Sequence, residues 1–427
     1  MKYLDDVINN VKSEAKQLFK GMLLDKRMHI DSSVNEEQRR ELSYNLEKIL
    51  LRLLKEHKRK IERETLYILK EDIMDEFLGY GVIDKFLEDP QVTDIMVNSP
   101  GQIFIEKDGV VEKADAAFEN EHQIMSIIER MASDSGRRID LSSPFVDLRI
   151  KRGARVTAVI PPIAGKGPLL CVRKILRDVF SLDELLEKRT VNKKMLDFLK
   201  YCVRARINML ISGSTGVGKT TFMNLLIKEF IPDEGRVVIL EDTEELVVSP
   251  PKHCIKLFTR SASITGQGEV KLSDLVKLAL HLRPDRIVIG EIRGEEAFDF
   301  LHVVNTGHDG SMCTIHANDC ADALMRLETL SLMSRFNISE NVVRRFLKMG
   351  VHLIIHMVRL NNGQRIVSQV SEFEHTQGGF MIKDIFSLHR EIKENREVYE
   401  AKFTGYIPSF FDILKVRADM PDNFFEL

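Results

Sequence analysis

The sequence predicts an α/β protein in which a helical bundle and a small α+β domain precede a larger domain built on a parallel sheet. Three observations predict this order. Apolar residues recur at helical spacing near the N-terminus, short β-prone runs follow, and apolar strands then alternate with helices. At 427 residues the chain is also too long for one ordinary core. We therefore expect domains at residues 1–78, 79–180 and 181–427.

The first segment has the periodicity of amphipathic helices. Apolar side chains stand three or four positions apart in two groups: Leu42, Leu46, Ile49, Leu50 and Leu53, then Leu66, Leu69, Ile73 and Phe77. This spacing puts each group on one helix face, so we expect a helical hairpin or small bundle. Gly79 and Gly81 end the helical pattern.

The second segment changes to a β pattern. Residues 89–114 contain short β-prone runs and an Asp108-Gly109 pair typical of a hairpin turn. Residues 145–175 again show short runs, broken by Gly153, by Pro161-Pro162 and by Gly165. We expect an antiparallel sheet with one or two helices.

The third segment alternates strands and helices. A capping box of Ser181 and Glu184 begins it, and Asn192 is a candidate cap for the next helix. The runs INMLISG, RVVILED, DRIVIGE and SMCTIHA are short and almost continuously apolar, as in strands buried on both faces of a parallel sheet. From Ile338 we expect a further helix, strands around NNGQ and an irregular amphipathic tail.

A phosphate-binding loop follows the first of these runs. The stretch GSTGVGKT has P-loop spacing and stands between a strand and a helix. Its glycines let backbone N–H groups turn toward phosphate, its lysine reaches the outer phosphates, and its last hydroxyl ligates Mg²⁺. We expect a nucleoside triphosphate to bind here, with Thr220 as a ligand of the metal. The residues expected to bind it are Ser214, Thr215, Gly216, Val217, Gly218, Lys219, Thr220 and Thr221.

Acidic residues end two of the other apolar runs. Glu241 and Asp242 close RVVILED, and Glu291 closes DRIVIGE. The carboxyl ends of strands form the ligand edge of an open α/β sheet, so one acid can hold the water shell of Mg²⁺ while the other orients or deprotonates the attacking water. The residues alone do not separate these roles. His316, after SMCTIHA, is either a packing residue or an imidazole close to the γ-phosphate.

Composition argues against several classes of protein. A net charge of −3 and the absence of tryptophan disfavour nucleic-acid binding. The five cysteines form no CxxC pair, so neither a disulfide framework nor a zinc knuckle is indicated. The first residues lack a secretory signal, and no run approaches the apolar length of a membrane span. We expect a cytoplasmic protein that meets membranes only through partners.

Four motifs in order resemble those of the type II/IV secretion ATPases. They are the Walker A box GSTGVGKTT, the Asp box VVILEDTEEL, the Walker B box LVKLALHLRPDRIVIGEIRGEEAFDFL and the His box NTGHDGSMCTIHAND. Within that superfamily the chain is most similar to the CpaF-type ATPases of tight-adherence (Flp) pilus systems, through DPQVTDIMVNSPGQIFIE, GRRIDLSSPFVDLRI, GARVTAVIPP and FTGYIPSF. Residues before about Glu64 match only as generic helix.

The resemblance implies a homohexameric ring of RecA-like P-loop motor domains, each with an N-terminal domain that closes on ATP and Mg²⁺. Arginines of the N-terminal domain reach the phosphates in this superfamily, and Arg155 and Arg173 occupy the matching places. By the same match Glu241 is the general base and Glu291 the magnesium-side acid, with His316 in the His box. An inner-membrane platform protein is the implied partner, which would keep the ring peripheral to that membrane.

Two other functions remain open at this stage. A RecA-like nucleic-acid translocase shares the core but should show a basic channel with aromatic stacking residues. A binding module would hold ATP as a structural ligand without cleaving it. DNA-stimulated turnover would favour the first, and an absence of phosphate release would favour the second.

Overall fold

The computed structural model describes most of the chain as two compact units, Met1–Leu176 and Arg177–Leu427. Within them it describes residues 2–25, 36–59, 61–107, 109–150, 153–174, 181–248, 253–260, 262, 267–334, 337–376, 379–393 and 396–426. Each unit has its own hydrophobic clusters.

Three helices at the start of the first unit pack around a core of their own. They are α1 (Lys2–Asp25), α2 (Glu36–Glu56) and α3 (Arg63–Leu78). The core is almost entirely aliphatic and contains Val11, Ala15, Phe19, Leu23, Leu42, Leu46, Leu50, Leu53, Leu54, Ile73 and Met74. The predicted helical hairpin is therefore confirmed as α2 and α3, with α1 as a third member of the bundle.

A six-stranded antiparallel sheet forms the rest of the first unit, as predicted. Its strands are β1 (Val92–Ser99), β2 (Gln102–Lys107), β3 (Val110–Lys113), β4 (Phe145–Arg149), β5 (Arg155–Val159) and β6 (Leu169–Arg173), in the order β3-β2-β1-β6-β5-β4. A short helix α4 (Asp84–Glu88) precedes it, and α5 (Glu121–Asp134) packs on one face. Gly109 has φ +80° between β2 and β3, and Asp108 of the predicted turn lies outside the described residues.

The outer strands of this sheet alternate between buried and exposed residues. In β4, Val146 and Leu148 point into the core below α5, whereas Phe145 and Asp147 are exposed. Strands β5 and β6 follow the same pattern. One face of the sheet is therefore solvated, which is usual for an antiparallel sheet covered on one side only.

A nine-stranded sheet organises the second unit. Its strands are β7 (Met209–Gly213), β8 (Val237–Glu241), β9 (Cys254–Phe258), β10 (Arg286–Ile292), β11 (Met312–Ile315), β12 (Leu353–Arg359), β13 (Arg365–Thr376), β14 (Gly379–Lys393) and β15 (Arg396–Phe403). The order is β15-β14-β13-β12-β7-β11-β10-β8-β9, parallel from β12 to β9 and antiparallel from β12 to β15. The strand that enters the phosphate loop, β7, is thus central.

Helices cover both faces of this sheet. They are α6 (Leu182–Glu187), α7 (Lys193–Arg204), α8 (Lys219–Phe230), α9 (Leu272–Leu280), α10 (Glu296–Val304), α11 (Cys320–Leu332), α12 (Glu340–Gly350) and α13 (Phe411–Ala418). One apolar cluster joins α7, α8 and α13 to one face, and a second joins α9 to α12 to the other. The predicted capping box before α6 and the Asn192 cap of α7 are both present.

Two elements of the second unit differ from the sequence predictions. Strand β9 was not predicted, because its residues are only partly buried at the sheet edge and lack a continuous apolar pattern. The predicted irregular tail is wrong for residues 411–418, which form α13 with Leu414 fully buried. After it, Phe425 stacks on Phe403 with ring centroids 4.7 Å apart. Four apolar residues of the tail belong to the apolar cluster on this face of the sheet: Phe410, Leu414, Met420 and Phe425.

A buried asparagine joins three segments at the amino end of β7. The Asn208 Oδ1 atom accepts hydrogen bonds from the backbone N–H groups of Gly310 and Ser311, at 2.7 and 3.1 Å. Its Nδ2 atom donates to the carbonyls of Gly350 and Val304, at 2.8 and 3.5 Å. The side chain is 1% exposed, so these bonds satisfy backbone groups that water does not reach.

Every helix within the described ranges is too short or too polar to cross a lipid bilayer.

Candidate nucleotide site

The loop between β7 and α8 has the backbone shape of a phosphate cradle. Three of its glycines have positive φ: +147° at Gly213, +75° at Gly216 and +96° at Gly218. Residues that have a side chain rarely adopt a positive φ, so glycine is required at these positions. At Gly213 a Cβ would also lie 2.4 Å from the Met357 carbonyl oxygen of β12. The loop is therefore built against the neighbouring strand as well as turned by its own glycines.

The crest of the loop is exposed while one residue anchors it from below. Ser214, Thr215 and Gly216 are exposed, whereas Val217 is 1% exposed and belongs to the apolar cluster beneath α8. The packed Val217 side chain therefore fixes the loop to the core of the second unit. Only the backbone of Val217 is free to face phosphate.

Lys219 is buried at the first position of α8. Its Nζ atom donates to the carbonyl oxygens of Gly213 and Ser214, both at 2.9 Å, and lies 3.3 Å from His316 Nδ1. Burial lowers the pKa of this ammonium from 10.5 to about 8, although Glu291 and Glu245 oppose the shift. The protein alone only partly compensates the positive charge of Lys219. This is what we expect of a lysine that binds phosphate.

His316 connects this lysine to Glu291. Because an ammonium can only donate, Nδ1 is the acceptor, which places the imidazole proton on Nε2. Nε2 lies 2.5 Å from Glu291 Oε1. Burial, and then the charge of Lys219, lower the pKa of His316, so the imidazole is neutral near pH 7. The structure therefore brings Lys219, His316 and Glu291 together.

Arg293 holds the other oxygen of Glu291. Its guanidinium contacts Glu291 Oε2 through Nε, at 2.6 Å, and through a terminal nitrogen. A second terminal nitrogen lies 3.8 Å from Asp242 at the end of β8. Arg293 was not among the residues predicted from the sequence. A signal existed, since residues two apart at the end of a strand share a face, but the pairing depends on how the side chains bend.

Glu241 occupies a separate buried position at the end of β8. Its Oε1 atom accepts the backbone N–H groups of Glu245 and Leu246, both at 3.0 Å. Within the described ranges Oε2 has no hydrogen-bond partner, and the residue is 3% exposed. Burial raises the pKa of this carboxyl from 4.5 to about 7. Gly290 makes room for it, because a Cβ there would lie 3.0 Å from Glu241 Cγ.

Two groups offer hard oxygen ligands of the kind Mg²⁺ prefers. One is the hydroxyl of Thr220, in the first turn of α8. The other is Glu291 Oε1, which lies near His316 without hydrogen-bond alignment and has no hydrogen-bond partner among the described residues. Glu291 stands near the carboxyl end of β10, and Thr220 stands in the helix that follows the carboxyl end of β7. The donor set therefore fits the ion.

The predicted arginines lie side by side in the first unit. Arg155 on β5 and Arg173 on β6 are directly opposite in the antiparallel ladder, on the exposed face of the sheet. Arg155 binds Asp147, and Arg173 Nε donates to Asp94 at 2.8 Å. Aspartates orient both guanidinium groups on that face.

A glycine-turned loop before a buried helix, with carboxylates at the ends of parallel strands, is the arrangement typical of P-loop nucleotide-binding proteins of the α/β class. Comparison with known proteins refines this class. The family model described as "Type II/IV secretion system protein" matches residues 76–399. The chain therefore belongs to the type II/IV secretion system protein family.

Individual proteins of known sequence or structure are also similar to this chain. A "putative conjugal transfer protein" of Mycobacterium tuberculosis is 30% identical over 326 residues, 75% of this chain and 92% of the relative. The conjugal transfer protein TrbB of Rhizobium radiobacter is 32% identical over 68% of this chain and 86% of its own. The crystal structure of the pilus retraction motor PilT with bound ADP shares the fold, with a TM-score of 0.50 and 18% identity over 78% of this chain and 85% of PilT.

Proposed function

We propose that this chain is a Mg²⁺-dependent ATP hydrolase that powers a secretion or pilus machine, and specifically a CpaF-type motor of tight-adherence (Flp) pili. The observation that carries the proposal is the contact chain from Lys219 through His316 to Glu291, beside a loop with the backbone shape of a phosphate cradle. These three groups are a cation, a neutral imidazole and an acid, in that order. Such a series is suited to binding the terminal phosphate of ATP.

The proposed roles follow from the surroundings of each side chain. Glu241 is the general base, because its pKa near 7 allows it to take a proton at neutral pH and its Oε2 atom has no partner among the described residues. Thr220 and Glu291 would hold Mg²⁺, which would supply neutralisation of phosphate charge. Lys219 binds the phosphates, and His316 relays their presence to Glu291.

Turnover in this proposal needs the first unit as well as the second. Arg155 and Arg173 would reach the phosphates when the sheet that carries them closes on the nucleotide. Aspartates already orient both guanidinium groups, so little side-chain entropy is lost on closure. Repeated closure around a homohexameric ring, bound to an inner-membrane platform protein at the cytoplasmic side, would convert hydrolysis into displacement of pilin. In this proposal the chain has three domains: a helical bundle at residues 1–78, an α+β domain at 79–180 and a motor domain at 181–427.

The first test concerns the arginines. Arg173→Ala should keep ATP affinity and lose turnover by about 10³-fold or more, because a positioned arginine acts on transition-state charge. Phosphate release and nucleotide binding are measured in parallel. Arg138→Ala is the matched control, since it removes an exposed arginine of the same unit that pairs with Asp140. Turnover of Arg173→Ala at the parent rate would refute the role of this residue.

The second test concerns the base. Glu241→Gln should retain ATP without cleaving it, because the amide keeps an acceptor for the two turn N–H groups but cannot take a proton. Single-turnover cleavage of radiolabelled ATP separates binding from chemistry. Full activity of this variant, together with loss of activity in Glu291→Gln, would move the base role to Glu291.

A nucleic-acid translocase is the alternative to be excluded by experiment. The net charge of −3 and the lack of tryptophan favour the secretion motor. The names of the relatives, however, refer to conjugal transfer. Stimulation of ATP turnover many-fold by single-stranded DNA would favour the translocase, and unchanged turnover would favour the motor.

A further inference from the structure

The hairpin of β12 and β13 stands beside the phosphate cradle on the side away from the acids. Strand β12 runs parallel to β7 with Met357 opposite Gly213, the first residue of the loop. Strand β13 returns antiparallel, with Arg365 opposite Arg359. The carboxylates of β10 and β8 lie on the other side of β7, beyond β11. The loop therefore has acids on one flank and arginines on the other.

Arg365 extends from this hairpin over the cradle. A Cβ placed on Gly218 would lie 3.7 Å from Arg365 Cδ, so the stem of the arginine covers the residue that precedes Lys219. The side chain is half-buried. Within the described ranges its guanidinium has no hydrogen bond and no carboxylate partner. A partly desolvated cation of this kind is stabilised by an anion.

The start of β13 holds Arg365 in place. Its neighbour Gln364 donates through Nε2 to the Lys188 carbonyl at 3.2 Å, and the N–H group of Val367 donates to the Thr190 carbonyl at 2.9 Å. Two arginines directly opposite in an antiparallel pair do not stabilise a sheet, because like charges repel. The arginine opposite Arg365 therefore does not neutralise it, whereas an anion beside the loop would.

The direction of a bound nucleotide follows from the two flanks. In the proposed site the terminal phosphate lies toward His316 and Glu291, on the β11 and β10 side. The phosphates nearest the nucleoside must then lie toward β12 and β13. We infer that Arg365 binds these inner phosphates, which ATP and ADP share. This inference rests on the proposed function, and it adds an affinity residue that is separate from the groups around the terminal phosphate.

The inference predicts equal losses of affinity for the two nucleotides. Removing a charge-assisted hydrogen bond should weaken both ADP and a non-hydrolysable ATP analogue by about tenfold or more. Fluorescent nucleotide titration of the full chain measures both dissociation constants. Arg365→Ala is compared with Arg365→Lys, which should lose less because it keeps the charge but not the planar fork. Arg390→Ala is the matched control, since Arg390 lies in the same meander and pairs with Glu397.

The outcomes separate the inference from the proposed function. If the parent chain binds neither nucleotide, the proposed function fails and the inference fails with it. If the parent binds both and Arg365→Ala binds them equally well, only the inference is overturned. A loss confined to the ATP analogue also overturns it, because the contact would then be with the terminal phosphate. If Arg365→Ala does not fold, Arg365→Lys decides the question, and unchanged affinity in that variant for both nucleotides overturns the bidentate contact.

Discussion

The burial of Lys219 makes nucleotide affinity depend on pH in a direction that can be calculated. Its pKa is about 8 instead of 10.5, because burial disfavours the ammonium. The negative charge of bound phosphates favours the ammonium and restores a pKa near the ordinary value. Below pH 8 the lysine is charged with or without nucleotide, so affinity should be flat. Above pH 8 the free protein must take up a proton to bind, so affinity should fall by up to about tenfold per pH unit.

Titration calorimetry tests this in two buffers of different ionisation enthalpy. At pH 9 a group with a pKa of about 8 is mostly deprotonated, so binding of Mg-ADP should take up about 0.9 proton, against about 0.1 at pH 7. The total loss of affinity over the gap of about 2.5 pKa units would correspond to about 3 kcal/mol. Any residual affinity of Lys219→Arg should be independent of pH, because arginine stays charged. No proton uptake at pH 9 in the parent would refute the argument.

Two further predictions concern residues that support the site. Arg293→Ala should raise the Mg²⁺ concentration for half-maximal turnover by about tenfold, because Glu291 loses the group that orients it, and a Mg²⁺ titration of phosphate release checks this. An unchanged midpoint would show that Arg293 does not orient the acid. Asn208→Ala should destabilise the second unit by about 3–5 kcal/mol, since several buried backbone groups lose the side-chain hydrogen bonds that Asn208 gives them. Urea unfolding measures this against the exposed-site control Asn423→Ala, and equal stability of the two variants would contradict it.

Local rules account for the parts that the sequence predicted well. The capping box at Ser181, the Asn192 cap and the phosphate loop each depend on a few consecutive residues, and the structure has all three. The apolar runs of β7, β8, β10 and β11 were recognisable because strands buried on both faces need no alternation. The acids at the ends of these strands could therefore be placed at one edge of the sheet before the structure was known.

Features that depend on distant partners were not predictable in this way. Strand β9 forms only because β8 offers an edge, and its own residues, with Lys256 in the middle, carry no strong signal. Helix α13 has a weak apolar pattern and is stabilised by burying Leu414 against residues of α7. The position of Arg365 over Gly218 joins residues far apart in the sequence, and no motif links them. Tertiary contacts decided each of these cases.

The connections made by Asn208 have a consequence for synthesis on the ribosome. This residue bonds to partners 103 and 142 positions later in the chain, and β7 beside it pairs with β11 and β12. Nascent chains emerge N-terminus first, so β7 is synthesised before the two strands that pair with it. Until those strands emerge, the apolar side chains of β7 stay unburied. Translation that stalls before residue 353 would leave this strand as a template for aggregation, and holdase chaperones should bind such truncated chains.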